Sequence, residues 1–455
     1  MLTRLFGDLT LLIGMAQPNV KSFWTQSKTI HITDSQWGDT GKGKLVDLAA
    51  QGADIVVKTN GGANAGHTVK NEFGEFKLHL IPAGFANPNT LCIVGTGCVV
   101  DLTEFNKEYE EIMKRVPMPA KFLISDKAHL VMPWHKVLDG IREVARGKGA
   151  IGTTGRGIGP TYADRALRRG FRVGDILQKS FIAEFKKELY AQERLINWYR
   201  SEQGIKEEFR FDDKQLVREM KKIKESLSPL IGNSYDVIQK AYAKGQVIIG
   251  EAGQGALLDL DLGGYPYVTS SHPGVIGFMI STGLTHKQIN RVVGSTKAYL
   301  TRVGNGPMPT ELTDSTGEKL RELGHEYGAT TGRPRRCGWF DVVATKYGAQ
   351  IAGITELALT KLDVLDTFKT LKICVGYKVG TKKYDQLIDS DPTWMENAEP
   401  LYKTFPGWQE ETRKITIFKK LPKNAQDYIH ALENLVGLPI TLVSLGPGRD
   451  STLYH

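Results

Sequence analysis

The sequence predicts an α/β protein with a large, mostly parallel central sheet flanked by helices. Three observations carry that expectation. Short β-branched runs at 28–33, 55–58, 247–250 and 356–360 each pass into a glycine-rich or polar turn. Between them lie charged stretches with apolar residues at helical spacing, at 103–115 and across 180–244. Strands alternating with helices build parallel sheets, whose ligands sit beyond the carboxyl ends of the strands.

In chain order, the first strand is expected at 28–33 and a helix from Leu45. A strand at 55–58 precedes the loop 60–68, and 91–100 reads as a further buried strand. Residues 150–160 are very rich in glycine, and 180–244 reads as an inserted helical subdomain. The strand at 247–250 ends in Glu251-Ala-Gly-Gln-Gly255, and 439–444 is a strand running into a polar turn. Residues 1–27 are set apart as a non-structural extension or a misassigned start (Met15 is available), and 28–455 as the domain. The apolar run 9–16 is faintly like a secretion signal, but Asp8 interrupts the region.

Composition narrows the classes. The 455 residues are 41% hydrophobic and 24% charged, as in globular proteins. A net charge of +9 favours anionic partners without choosing among them. Cys92, Cys98, Cys337 and Cys374 have neither metal-ligand spacing nor disulfide density, which suits a reducing cytoplasm. No run reaches the roughly 18 apolar residues of a membrane span, so no membrane partner is expected. The basic stretches near Lys221 and Arg413 lack the interleaved aromatics that stack on bases, and read as solvated faces rather than a nucleic-acid surface.

The chemistry concentrates in loops. Gly38-x-x-x-x-Gly43-Lys44 has the spacing of a phosphate-binding loop between strand and helix, which makes the fold P-loop-NTPase-like. The usual Ser or Thr after the lysine is replaced by Leu45, so the hydroxyl that would hold magnesium is missing. Asp39, a hard carboxylate inside the loop, is the substitute. Asn64-Ala-Gly-His-Thr68 places a histidine in a turn after a strand; an acid–histidine pair beside a phosphate cradle suits proton transfer coupled to phosphoryl transfer. The loop 152–159, with Thr153, Thr154 and Arg156 among glycines, reads as a second anion site, with Arg165, Arg168 and Arg169 adding charge downstream. The loop 328–336 suits a small dicarboxylate or a phosphate. Thr360-Lys-Leu-Asp363 resembles a guanine-reading motif: a carboxylate accepts from N1–H and the exocyclic amine of guanine, and adenine has no such donor pair. Lys361 can lie against the base, and Ser444-Leu-Gly446 can close its other side.

Together with Tyr265-Pro-Tyr-Val-Thr-Ser-Ser271, Thr301-Arg-Val-Gly304 and Gly328-Ala-Thr-Thr-Gly-Arg333, these motifs resemble the adenylosuccinate synthetase family, in order, from about residue 28 to 452. The resemblance implies ligation of IMP to L-aspartate, driven by GTP with Mg2+, in AMP biosynthesis. It casts Asp39 as base and magnesium ligand, His67 as acid, Lys42 as stabiliser of the transferring phosphoryl group, Gln254 as a further catalytic residue, and the Gly66 carbonyl as second metal ligand. It places GTP on Gly38, Asp39, Thr40, Gly41, Lys42, Gly43, Lys44, Gly66, His67, Thr68, Arg335, Lys361, Leu362, Asp363, Ser444, Leu445 and Gly446. It places IMP on Asp39, Lys42, Asn64, Ala65, Gly66, His67, Thr154, Gln254, Thr269 and Arg333, and aspartate on Ala329, Thr330, Thr331, Gly332, Arg333, Pro334 and Arg335. Arg168 matches an arginine that reaches IMP in the partner subunit, which implies a homodimer with shared sites. Thr40, Ala63, Arg165, Pro334, Leu445 and the order Glu251-Ala-Gly-Gln254 depart from the family pattern, which bears on affinity and rate more than on reaction type. Asp39 and the guanine-reading motif argue against a related phage group that aminates a guanine nucleotide with ATP. A regulatory GTPase would not need the second and third anion loops. A nucleic-acid-binding protein is favoured by net charge alone.

Overall fold

The computed structural model describes residues 20–328, 332–387 and 392–455. Its centre is a ten-stranded sheet. From one edge to the other the strands are Thr452–Tyr454, Ile440–Ser444, Glu356–Thr360, Arg291–Lys297, Thr29–Asp34, Ile248–Glu251, Ile55–Lys58, Leu91–Val94, Lys121–Ser125 and Ile231–Gly232. Every neighbouring pair is parallel except the first two, which are antiparallel.

Consecutive strand residues serve different cores. Ile30, Ile32, Val56, Ile249, Val293, Ala358 and Leu442 pack into one cluster with Leu45, Val46 and Phe85. Their chain neighbours Val292, Leu357, Leu359 and Val443 join a second cluster with Tyr428, Ile429 and Leu432, while Ile55, Val57 and Ile248 join a third. The side-chain period of two thus divides each strand between opposite faces, both covered, which is why the strands read as unbroken apolar runs.

The first strand has the chain-distant strands 248–251 and 291–297 as its neighbours. Strand order therefore switches at its carboxyl end, where open α/β sheets hold ligands. The loops after 29–34, 55–58, 248–251, 291–297, 356–360 and 440–444 all leave the sheet along that edge.

Three expectations need adjustment. Within the extension set apart at 1–27, Val20–Thr25 is a helix, Trp24 is buried in the main core, and Phe23 packs on Tyr454; residues 1–19 lie outside the described residues. The strand expected at 91–100 is two: Leu91–Val94 in the central sheet, then Val99–Val100, which pairs with His129–Leu130. The chain turns between them, with the Cys98 N–H donating to the Gly95 carbonyl at 3.1 Å, and Gly95 and Gly97 leave room for the Lys58 and Thr59 carbonyls, which a Cβ would meet at 2.6 and 2.5 Å. The region 180–244 holds helices Phe181–Glu202, Asp213–Leu227 and Ser234–Ala243, but Ile231–Gly232 between them adds a strand to the sheet edge. Phe181, Phe185, Leu189 and Ile196 form the buried stripe of the first helix, and Asp212 and Asn233 cap the other two.

Candidate active site

The phosphate loop is shaped by backbone conformations that only small residues adopt freely. Gly38 and Gly41 have φ of 97° and 87°, and Asp39 between them has φ of 55°. Helix Lys42–Ala50 begins directly after Gly41 with no side-chain cap, so its first N–H groups face the edge unclaimed by a cap. Lys42 is buried and its Nζ lies 3.0 Å from Asp34 Oδ2, which also accepts from the Thr40 hydroxyl at 2.6 Å. Thr40 therefore points inward and offers the ligand its main chain only. Asp34 holds the loop by a third bond, from the Gln36 N–H at 2.7 Å.

The histidine turn packs onto this loop. A Cβ at Gly43 would stand 3.0 Å from the Thr68 carbonyl oxygen and 3.2 Å from His67 Cβ, so glycine there permits the contact. His67 Nδ1 bonds to Glu251 Oε1, which also takes Lys58 Nζ at 2.7 Å, and the other Glu251 oxygen accepts from the Ala83 N–H at 2.7 Å. Burial pushes the Glu251 carboxyl up, but Lys58 and His67 outweigh it and hold it at about 2. Burial, then Lys58, lower His67 to about 4, so its ring is neutral at pH 7. His67 Nε2 is buried and has no partner.

Beside it, Asn60 Nδ2 donates to Gln254 Oε1 at 2.8 Å and to Ser271 Oγ at 2.9 Å, and Gln254 Nε2 donates to Asn64 Oδ1 at 3.1 Å. Thr269 Oγ1 is buried and unpartnered. Asn64, Gln254 and His67 thus converge from two loops, with Ala65 buried among them and Thr68 turned to solvent.

On the other side of Asp39 stands a charge cluster. Arg335 Nη1 bonds to Asp39 Oδ2, and Lys297 Nζ lies 3.5 Å from the same oxygen. Glu326, fully buried, takes Lys297 at 2.7 Å, Lys361 at 2.9 Å and Arg335 at 3.2 Å. Burial pushes Glu326 up, and Lys297 and Lys361 reverse that, leaving it below the carboxylate range. The Asp39 side chain is 30% exposed and faces this cluster rather than bulk water.

Asp363 is nearly buried; Oδ2 accepts from Arg413 at 2.9 Å and Oδ1 has no partner. Lys361, in left-handed conformation at φ 56°, also donates to the Gly324 carbonyl at 2.6 Å. Lys44 does not stay with the phosphate loop. Its Nζ donates to Ser444 Oγ at 2.7 Å and to the carbonyls of Gly446 at 2.8 Å and Ser451 at 3.0 Å, tying the helix to the loop expected beside the base. Leu362 and Leu445 are fully buried in the core, so their side chains serve packing.

The glycine-rich loop at 152–159 already has an anion. Glu143 accepts from the N–H groups of Ile151 at 3.3 Å, Gly152 at 2.5 Å and Thr153 at 3.2 Å, and Asp139 accepts from Gly157 at 2.9 Å. Those amides are not open to a phosphate while the two carboxylates of helix Pro133–Ala145 hold them; the Thr154 side chain remains exposed. Arg168 ends helix Ile158–Leu167 at φ 60° with its side chain exposed.

The model of the family described as adenylosuccinate synthetase matches residues 31–453. The chain belongs to the adenylosuccinate synthetase family. It is 43% identical over 428 residues to the adenylosuccinate synthetase of Desulfitobacterium hafniense, covering 94% of this chain and 99% of that one. It is 45% identical over 425 residues to that of Carboxydothermus hydrogenoformans, covering 93% and 98%. The fully ligated adenylosuccinate synthetase from Plasmodium falciparum superposes with a TM-score of 0.88 at 35% identity, covering 94% and 100%. A cyanophage S-2L succinoaminodeoxyadenylate synthetase shares the fold at a TM-score of 0.60 and 20% identity, over 94% and 95%. The chain is accordingly an enzyme of purine biosynthesis that ligates IMP and L-aspartate with GTP, and the GTPase and nucleic-acid readings fall.

Among the adenylosuccinate synthetase residues expected from the sequence, the structure gathers Asp39, Lys42, Asn64, His67, Gln254, Arg335, Lys361, Asp363 and Ser444 along one edge of the sheet. Ala329, Thr330 and Thr331 lie outside the described residues, between Gly328 and Gly332, whose N–H donates to the Gly328 carbonyl at 2.8 Å. Arg333 and Pro334 are exposed on the same loop. Sequence reasoning missed Asp34, Lys58, Glu251 and Lys297 as site residues. A signal was there: each is the last residue of a strand whose other positions are buried, Arg291 at the start of the last strand excepted. A charge at the carboxyl end of a strand in a doubly covered sheet belongs to the ligand edge. Glu326 and Glu143 carried no comparable signal.

Proposed function

We propose that ligation runs through 6-phosphoryl-IMP, with Asp39 taking the N1 proton of IMP. A purine amide oxygen is a poor nucleophile until that proton leaves. The 6-oxygen then attacks the γ-phosphorus of GTP, and the phosphorylated purine carries a good leaving group at C6. The amine of aspartate attacks C6, the C–O bond breaks, and phosphate departs. The observation that carries this reading is Asp39 itself, standing between two glycines of positive φ at the head of the phosphate loop. It is the sole acid among residues 35–44, in a cradle where a carboxylate would otherwise repel the ligand.

The rest of the apparatus follows from local chemistry. For Asp39 to reach N1, Arg335 must release it, and the phosphates of GTP are the natural competitor for a guanidinium. Charge arriving on the γ-phosphate opposes the burial that keeps His67 neutral, so Nε2 takes a proton from solvent and, as an N–H, donates a hydrogen bond to the phosphate oxygens while Glu251 steadies the ring from Nδ1. Lys42 and the loop amides stabilise the transferring group. Asp39 and the Gly66 carbonyl suit Mg2+, which takes few protein ligands and leaves its other positions to phosphate oxygen and water. When bound, Mg2+ would neutralise charge on the phosphates. Asp363 reads guanine through Oδ1, the oxygen that has no partner of its own. Four free, buried cysteines suit a reducing cytoplasm.

The site is shared in a homodimer through Arg168. Support comes from its exposed position beside Leu167, itself 64% exposed. Mixing Asp39→Asn and Arg168→Leu subunits should restore about a quarter of wild-type activity, since about half the dimers are mixed and each carries one intact site. No recovery after verified subunit exchange would remove Arg168 from the partner's site. The activity is tested by combining protein, IMP, GTP, Mg2+ and aspartate and following ultraviolet absorbance as the purine 6-substituent changes from oxygen to amine. Silence from folded protein would reject the assignment.

A further inference from the structure

Glu326 belongs to none of the expected contact sets, yet it is the most heavily used carboxylate at the ligand edge. It is fully buried. Lys297 Nζ donates to both of its oxygens, at 2.7 and 2.8 Å, Lys361 Nζ to Oε1 at 2.9 Å, and Arg335 Nη1 to Oε2 at 3.2 Å; the Tyr299 hydroxyl also donates to Oε1. Its main-chain carbonyl accepts from the Arg335 N–H at 2.9 Å, so the residue also anchors the root of the loop that carries Arg333. These partners come from four separate segments: the end of a central strand, the turn after it, the far side of the 328–335 loop, and the guanine-reading turn.

The two ends of this network face different ligands. Lys361 stands at the guanine side. Arg335 and Lys297 reach Asp39, at Nη1 contact and 3.5 Å respectively. Three cations share two carboxylates, Glu326 and Asp39, and Oε1 is divided among Lys297, Lys361 and Tyr299. In a buried site the contributions of such partners are not independent: drawing one cation toward a ligand changes the hold of the same carboxylate on the others.

We propose that Glu326 is a positioning residue that couples nucleotide recognition to aspartate binding, holding Lys361 and Arg335 in register through one shared carboxylate. This rests on the ligase reading above. Filling the guanine pocket fixes Lys361, which fixes Glu326, which fixes Arg335 and the root of the aspartate loop. Linkage makes the effect reciprocal, so GTP improves aspartate binding by the factor that aspartate improves GTP binding.

The test is the dependence of the aspartate KM on GTP concentration, with IMP and Mg2+ saturating. In wild type the aspartate KM should fall about fivefold between sub-saturating and saturating GTP. In Glu326→Gln, of the same size but uncharged, that ratio should collapse to about one while kcat at saturation falls less than the coupling does. A variant that retains the wild-type ratio overturns the proposal. Should Glu326→Gln lose its cooperative melt, Lys361→Met supplies the readout. Removing that guanine-side partner should raise the aspartate KM, and an unchanged aspartate KM overturns the proposal. If wild type makes no product from the full mixture, the ligase reading fails; if it turns over and the ratio survives in the variants, the coupling alone fails.

Discussion

At the residue scale the account turns on two acids with opposite surroundings. Asp39 meets two cations in a partly exposed setting, whereas Glu251 is sealed between Lys58 and His67. Asp39→Asn should lower turnover by about three orders of magnitude, within the range of a lost general base, while calorimetry still finds GTP bound. A fully active variant would remove Asp39 from the mechanism. Glu251→Gln should lower kcat about a hundredfold by freeing the His67 ring. It should also cost about 3–5 kcal/mol in denaturant unfolding, because Lys58 is left buried without its carboxylate. Normal kcat in that variant would mean that His67 needs no orienting partner.

At the scale of elements, the loop after strand Ile440–Ser444 is tied to the phosphate-loop helix at two points, by Lys44 and by Asp47, whose two oxygens accept from Arg449 at 2.6 and 2.7 Å. Lys44 Nζ satisfies three oxygens of 444–451, and burial lowers it to about 7 despite Asp363 and Asp450. Lys44→Met should raise the KM for GTP about tenfold with kcat little changed, the pattern of lost uniform binding. A matching fall in kcat would instead place Lys44 at the transferring phosphoryl group. This is also where the sequence misleads. The spacing Gly38-x-x-x-x-Gly43-Lys44 suggests a lysine held within the phosphate loop, but helix Lys42–Ala50 begins two residues earlier and turns Lys44 toward Ser444, Gly446 and Ser451. Likewise the glycines of 152–159 read as an open anion site, and nothing local reveals that Glu143, from the preceding helix, fills it. The strands were legible because burial on both faces leaves continuous apolar runs. The charges that end them are harder to read: Lys58 and Glu251 pair across strands distant in sequence, and Lys297 finds Glu326 in a loop with no pattern of its own.

For the whole molecule, buried histidines tie stability to pH. Burial lowers His31 and His67 to about 4 from 6.5. Unfolding between those values takes up a proton at each, so stability is full above about 6.5 and falls as pH drops toward 4. Each contributes up to about 1.4 kcal/mol per pH unit across that window. His272, raised by its bond to Asp259, has the opposite sign and loses its smaller contribution as pH rises. Thermal melts should show a steep fall in Tm from pH 6.5 to 4.5, less steep in His31→Gln; a flat profile would mean that these rings are solvated. The strand order that brings six loops to one edge also explains why residues as distant as Asp39 and Arg335 form one site.

The ionised 6-oxygen of IMP as nucleophile is the step on which all else depends, and isotope transfer reports it directly. With IMP carrying 18O at C6, mass spectrometry of the released phosphate should find one labelled oxygen per product formed. Unlabelled phosphate alongside full product would contradict the account, since aspartate would then have replaced the oxygen without its ever joining the γ-phosphorus.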